Sequence, residues 1–289
     1  MKNHLTRIRY LFSFIIFFLN VSSVHAKTVN PAISWGSINT PTHTVSESIG
    51  SNTNGCISGA MQLPLIGAGY QVMRVSRHRY FGHPLLIDFI EKLGGMVFSA
   101  KLGTLLIGDL GQPRGGPMLD GHRSHQNGLD VDIWFLLSSQ ANERILTSDE
   151  RETWSASSVV DVQANVVDSQ QWSLAHAKIL ETAARQSEVD RIFVHPSIKQ
   201  VLCQNKSPDS VQWLRKIRPW WKHDDHFHVR LKCAPNNSQC EGQQELPAGD
   251  GCDATLSWWF SAEAKQGATS LPVIIPALPA QCAKLLLEK

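Results

Sequence analysis

The chain has 289 residues, with 27 Lys and Arg against 25 Asp and Glu. Residues 1–26 hold three of those bases (Lys2, Arg7, Arg9) and no acid, so the remainder carries 24 against 25, a net of −1. That balance gives no electrostatic reason to invoke a nucleic-acid partner, and the remaining length suits one large domain or two small ones.

The three bases precede the apolar run Leu11 to Val21, followed by Val24-His25-Ala26 with small residues where a signal peptidase reads. This predicts a secretory signal peptide over 1–26, because the run is shorter than the ~20 residues that span a bilayer. No later segment is apolar for long enough to span one, so no membrane association is expected after signal removal. All six cysteines (Cys56, Cys203, Cys233, Cys240, Cys252, Cys282) lie in the exported part. An even count in an oxidising compartment predicts three disulfides; no Cys-x-x-Cys pair favours thiolate-bound zinc, and spacing leaves the connectivity open.

Residues 27–54, rich in Ser, Thr, Asn and Pro, read as an irregular N-terminal segment ahead of a core at 55–233. Pro84 should open a helix with Leu85, Leu86, Phe89, Ile90 and Leu93 inward, ended by Gly94-Gly95. Thr104 to Ile107 reads as a strand, and Gly111 to Gly121 as a glycine-rich loop. From Leu129 to Phe135 the residues alternate, putting Leu129, Val131, Ile133 and Phe135 on one face and Asp130, Asp132 and Trp134 on the other. The stretch to Asp168 carries no assigned chemistry. Ser173 should cap a helix to about Arg185 with Ile179, Leu180 and Ala183 inward. A strand at Arg191–Val194 and helices at Pro196–Cys203 and Ser210–Ile217 follow, the last stopped before Pro219. His223 to Cys233 alternates again, with His226, His228, Arg230 and Lys232 on one face. Residues 234–289 form a loop-rich tail held by disulfides. Helices and strands mix without regular alternation, which predicts a single α+β domain with a mainly antiparallel sheet carrying the site.

Two strands with apolar backs and His/Asp fronts can converge His125, Asp132 and His228 on one ion, with Gly121 and Gly128 bending the intervening chain. Three N/O ligands with a fourth position open is the arrangement of a catalytic zinc; Zn2+ is therefore the expected cofactor. His122 is a weaker candidate that can touch a second metal, orient the ligands or face solvent; Asp161 could add an oxygen there, but no histidine accompanies it before Trp172. His226 lies on the ligand face, where an imidazole can move a proton or stabilise an oxyanion, with His223 in support. Asp130 reads as a solvated or supporting carboxylate, and Trp220 and Trp221 either line the cleft or pack. His43, His78, His83, His176 and His195 have no such company and read as ordinary.

His125-x-x-Gly128-x-x-x-Asp132 followed by His226-x-His228 resembles the zinc peptidases grouped with lysostaphin and the D-Ala-D-Ala carboxypeptidases. Tyr70–Arg74, Arg79–Pro84, Leu106–Asp109, Arg191–Val194 and Arg218–Trp221 resemble one member of that group, the penicillin-insensitive murein endopeptidases, over about Ile49 to Cys282. The resemblance implies a periplasmic metallo-endopeptidase cutting the D-alanyl to meso-diaminopimelyl cross-link of peptidoglycan, insensitive to β-lactams because it has no serine to acylate. It also implies disulfides Cys56–Cys282, Cys203–Cys252 and Cys233–Cys240, and a homodimer is compatible with it. A D,D-carboxypeptidase and a wall-binding module with a vestigial zinc site are the rival readings.

Overall fold

The computed structural model describes residues 30–267 and 276–288; the signal-peptide prediction lies outside them. Among the described residues seven strands make one sheet: β1 (Ile66–Gly67), β2 (Tyr70–Val72), β3 (Leu105–Ile107), β4 (Asp130–Trp134), β5 (Val189–Val194), β6 (Ile217–Pro219) and β7 (His226–Leu231). Their spatial order is β6-β5-β7-β4-β3-β2-β1. The β5–β6 and β2–β3 pairs are parallel and the other four antiparallel. The expected α+β domain with a mainly antiparallel sheet is thus what the chain forms.

The two alternating motifs are the neighbouring strands β4 and β7 at the middle of that order, in the register His226↔Trp134, His228↔Asp132 and Arg230↔Asp130. Because side chains alternate across a strand, this register puts every polar residue of both motifs on one face. Val131, Ile133, Phe227 and Val229 point the other way. They share a core with Phe89, Ile90 and Leu93 of helix α1 (Pro84–Ser99) and Ile179, Leu180 and Ala183 of helix α2 (Leu174–Ala184). Burying each of these side chains contributes about 1.5–3 kcal/mol, enough to pin the register, since a one-residue slip would turn the His/Asp face into the core. Helices α3 (Pro196–Gln204) and α4 (Val211–Lys216) close the other end.

The structure departs from the sequence reading in three places. Helix α1 does not stop at Gly94-Gly95 but runs to Ser99. Gly94 serves close approach instead: a Cβ there would sit 2.7 Å from the Ala68 carbonyl oxygen and 3.0 Å from Tyr70. The segment 27–54 is not wholly irregular. Pro31–Gly36 is a helix capped by Asn30, whose Oδ1 accepts from the Ala32 N–H at 3.0 Å, and Glu47–Ser51 pairs with Asn54–Ser58 as a hairpin. Finally, Ile217 leaves helix α4 to begin strand β6, which runs through Pro219.

All six cysteines are paired, as Cys56–Cys282, Cys203–Cys252 and Cys233–Cys240. Trp35, Ile49, Cys56, Cys282 and Leu285 form a second small core, which fastens the N-terminal segment to the tail helix Ala280–Leu287. Among the described residues no helix is long and apolar enough to cross a membrane.

Candidate metal centre

Asp132 is the point on which the site converges. Its Oδ1 lies 3.1 Å from His228 Nδ1, 3.5 Å from His125 Nε2 and 3.7 Å from His226 Nε2. Strands β4 and β7 supply Asp132 and His228 directly opposite one another. His125 comes from the loop before β4 and holds a left-handed backbone at φ 68°, uncommon for a residue with a side chain. Its N–H donates to Asp130 Oδ2 at 3.2 Å, which holds the loop over the strand. Gly128 makes the return possible: at φ 76°, a Cβ would lie 2.5 Å from Ile57. Backbone strain of this kind persists where the surroundings impose it, and it concentrates at functional sites.

Asp130, one pleat along, is wholly buried, and its lone pairs are committed. Oδ1 accepts from Asn52 Nδ2 at 2.7 Å and Arg230 Nε at 2.9 Å; Oδ2 accepts from Arg230 Nη2 at 2.8 Å. His228 Nε2 lies 3.2 Å from the same Oδ2 without hydrogen-bond geometry, and Nδ1 is turned to Asp132. Burial alone would raise the Asp130 carboxyl; Arg230 and His228 instead hold it well below the usual range. Burial likewise opposes ionisation of Asp132, and His226 and His125 hold it well below that range. Arg230 supplies the positive charge that buried Asp130 needs, whereas Asp132 has only imidazoles beside it, and a cation would supply its share.

The residues fit a metal on a specific observation. Both ring nitrogens of His125, Nε2 of His228 and Oδ1 of Asp132 are buried without a hydrogen-bond partner. Buried polar atoms are rarely left unpaired, and His125 Nε2 faces Asp132 Oδ1 at 3.5 Å, the distance of groups that share an ion rather than a proton. Donor atoms of His122, His125 and Asp132 lie within 4.8 Å of one another, as do those of His125, Asp130 and His228. These groups overlap at His125. A set of imidazoles and carboxylates with no thiolate suits a divalent ion such as zinc.

His122 is brought into the cluster. Its Nε2 lies 3.0 Å from Asp109 Oδ2 and its Nδ1 3.3 Å from Asp132 Oδ2, bridging two carboxylates. Asp109 also receives Arg77 at 3.1 Å and Arg79 at 3.0 Å. Against its burial, His122 and these arginines lower its carboxyl to about 2. Asp161 does not join the site: its Oδ1 accepts from the Gln163 and Ala164 N–H groups in its own turn.

His223 and His226 sit on the last turn before β7 and at its start. That turn is held by backbone hydrogen bonds from three segments: Phe135 N–H to Asp225, Val159 N–H to Asp224 and His195 N–H to His223, at 2.9, 2.8 and 2.7 Å. His226 Nδ1 lies 2.5 Å from Asp225 Oδ1, leaving Nε2 toward Asp132. Burial would lower His226; Asp132 and Asp225 nonetheless raise it to about 9. A cation on Asp132 would cancel much of that pull. His223 Nδ1 donates to the Trp221 carbonyl at 2.8 Å, while burial, with His226 and His228 beside it, lowers its pKa to about 3. It is therefore a neutral imidazole whose Nε2 is an acceptor.

Sequence reading assigned no role to Asp109, Asp225 or Asn52, each of which orients a group in the cluster. Arg230 was visible on the ligand face, and Asp109 stood in a family-like stretch, but neither signal revealed its partner. Three of the unassigned histidines are structural: His83 Nδ1 and His195 Nδ1 accept from the second helical N–H of α1 and α3, and His176 joins the Ser173 N–H to the Phe135 carbonyl.

Two concavities flank the cluster. One, of about 250 Å³, is lined by Arg74, Arg77, His122, Asp132, Trp134 and His226; the other, of about 460 Å³, by Arg123, Arg191, Phe193, Trp220, His223 and His228. A larger one of about 760 Å³, between Trp172, Leu174, Val201 and Trp213, shares no residue with the cluster.

Residues 48–287 match the family described as penicillin-insensitive murein endopeptidase. A protein of that name from Haemophilus influenzae is 46% identical over 238 residues, 82% of each chain. One from Klebsiella pneumoniae is 44% identical over 89% of this chain and 92% of its own, and one from Yersinia pestis 42% over 92% and 94%.

Proposed function

This chain belongs to the penicillin-insensitive murein endopeptidase family, a peptidase that hydrolyses peptidoglycan, and from that premise we propose a zinc-dependent enzyme of the periplasm cutting the D-alanyl to meso-diaminopimelyl cross-link. The observation that carries the metal is the buried, unpartnered His125 Nε2 facing the equally unpartnered Asp132 Oδ1 at 3.5 Å. His125 and Asp132, with His228 through Nδ1, would hold the ion, three protein ligands as in catalytic zinc sites. When bound, it supplies Lewis acidity toward the scissile carbonyl and a nucleophile available at neutral pH.

The side chains around it divide the remaining work. Asp225 holds His226 by Nδ1, so its Nε2 takes up a proton beside the reacting carbonyl and returns it to the departing amine. In its protonated state the same Nε2–H donates to the developing oxyanion. His223, held by the Trp221 carbonyl with its ring 5.0 Å from that of His226, supports His226 from the side. Asp130 stands 3.2 Å from the far nitrogen of His228, and Asp109 holds His122, which orients Asp132 from its second oxygen.

Digestion of purified cross-linked dimeric muropeptides, followed by product masses, tests this. Monomers should appear with penicillin present, stop with a zinc chelator and return with added zinc. Free D-alanine released from monomeric pentapeptides while dimers persist would replace the endopeptidase by a carboxypeptidase. No change in either substrate with zinc-loaded protein would leave a wall-binding module.

A further inference from the structure

Trp220 is 53% exposed and Trp258 46% exposed, high values for the side chain with the most apolar surface to bury. Single exposed aromatics are ordinary on a protein surface, but these two are joined through Trp259. Trp220 and Trp259 have ring centroids 5.8 Å apart at 56°, and Trp258 and Trp259 5.4 Å apart at 81°. The rings meet at steep angles and do not stack on each other, and about half of each outer ring's residue is open to solvent. Both ends are rigidly mounted. Trp220 follows strand β6 and its N–H donates to the Val194 carbonyl at 2.8 Å. Trp258 ends the helix Ala254–Trp258, which is capped by Asp253 and stapled to α3 through Cys203–Cys252.

This group is continuous with the catalytic cleft. Trp220 packs edge-on against Phe193 at 5.9 Å, and Phe193 against His228 at 5.4 Å. Trp220 also lines the same concavity as His223 and His228, together with Arg123 and Arg191.

We infer that Trp220, Trp258 and Trp259 form a stacking shelf for the amino-sugar strand of peptidoglycan, beside the site that cuts its peptides. The inference rests on the endopeptidase reading for the identity of the strand. A pyranose presents an apolar C–H face ringed by hydroxyl and acetamido groups, the counterpart of an indole face with its N–H at the edge. An extended stem peptide of four residues reaches about 14 Å. Trp220 is two ring contacts from His228, so a sugar at the root of a stem whose cross-link lies at the metal is within reach of the shelf. Arg123, exposed in the concavity that Trp220 and His228 share, suits the carboxylates that the stem carries.

The test uses the disulfide-bonded, zinc-loaded protein and a β-1,4-linked tetramer of N-acetylglucosamine as probe, followed by tryptophan fluorescence and calorimetry. The wild type should bind it. Trp258→Ala should weaken binding by about tenfold or more, while Trp258→Phe keeps most of it. Intact sacculi and sugar-free cross-linked peptide dimers are then digested in parallel. Trp258→Ala should slow sacculus digestion by about tenfold more than dimer digestion. No binding by the wild type, or equal slowing on both substrates, overturns the shelf. So does a folded Trp258→Ala that sediments as a monomer where a wild type lacking sugar affinity is a dimer, since the face would then be a subunit contact. If the wild type cuts neither substrate, it is the endopeptidase reading that fails, and the tetramer titration still decides the shelf.

Discussion

Asp130 and Arg230 face each other across strands β4 and β7 through two hydrogen bonds of 2.9 and 2.8 Å, and neither side chain reaches solvent beyond a few per cent. The pair does two jobs. It neutralises a carboxylate inside the sheet, and it places that carboxylate 3.2 Å from His228 Nε2, which would leave Nδ1 for the proposed ion. Removing one partner of such a pair leaves the other charge buried alone, at a cost of about 3–5 kcal/mol. Asp130→Ala should lower the urea midpoint accordingly. Asp130→Asn should fold better yet bind zinc about 10–100-fold more weakly, measured by chelator competition. Wild-type zinc affinity in folded Asp130→Asn would remove its orienting role.

His125→Ala, Asp132→Ala and His228→Ala should each arrive from purification with most of the zinc lost and turnover nearly abolished, since each removes one of three proposed protein ligands. His226→Ala should keep its zinc and lose about 10²–10⁴-fold in kcat, as expected for removal of a general acid–base. Elemental analysis separates the two classes. A full complement of zinc in His228→Ala would sink the ligand assignment.

The same facts mark what could be read from sequence. Alternation at Leu129–Phe135 and His223–Cys233 encodes which side chains share a face, and two such strands are neighbours in the sheet. Asn52 and Asp109 are legible only after folding, because each reaches the cluster from a distant segment and carries no periodic signal. Glycine is ambiguous for a different reason: Gly94-Gly95 has the composition of a helix stop, and only the approach of Ala68 shows that one of them is needed for space.

These two glycines should respond oppositely to alanine. A Cβ at Gly95 meets nothing within 4 Å, so Gly95→Ala should stabilise by about 0.5–1 kcal/mol through helix propensity. At Gly94 the added carbon meets a backbone oxygen at 2.7 Å, and overpacking of about 1–3 kcal/mol should exceed that gain. Thermal midpoints of the two variants, moving up for one and down for the other, check this; a rise in both would mean that Ala68 yields without cost.

Lys199 gives a pH dependence of stability with a definite sign. It is fully buried, and its Nζ donates to the Leu214 and Asp250 carbonyls at 2.7 and 2.6 Å, tying the tail to helix α4. Burial, with Arg218 nearby, lowers its pKa from 10.5 to about 7. Between those values the unfolded chain holds the proton more firmly than the folded one, so stability rises with pH. The contribution is complete above the unfolded value and is lost as pH falls toward 7. From pH 7 to pH 9 the gain should be about 2 kcal/mol in the wild type. Lys199→Met cannot titrate and should lack that increment, although it also forfeits both hydrogen bonds and is less stable for that reason. Urea unfolding of both proteins at the two pH values, with disulfides intact and equal zinc content, isolates the difference of slopes. Equal slopes would show that Lys199 keeps its proton throughout, held as a charge by the two carbonyls and Asp250.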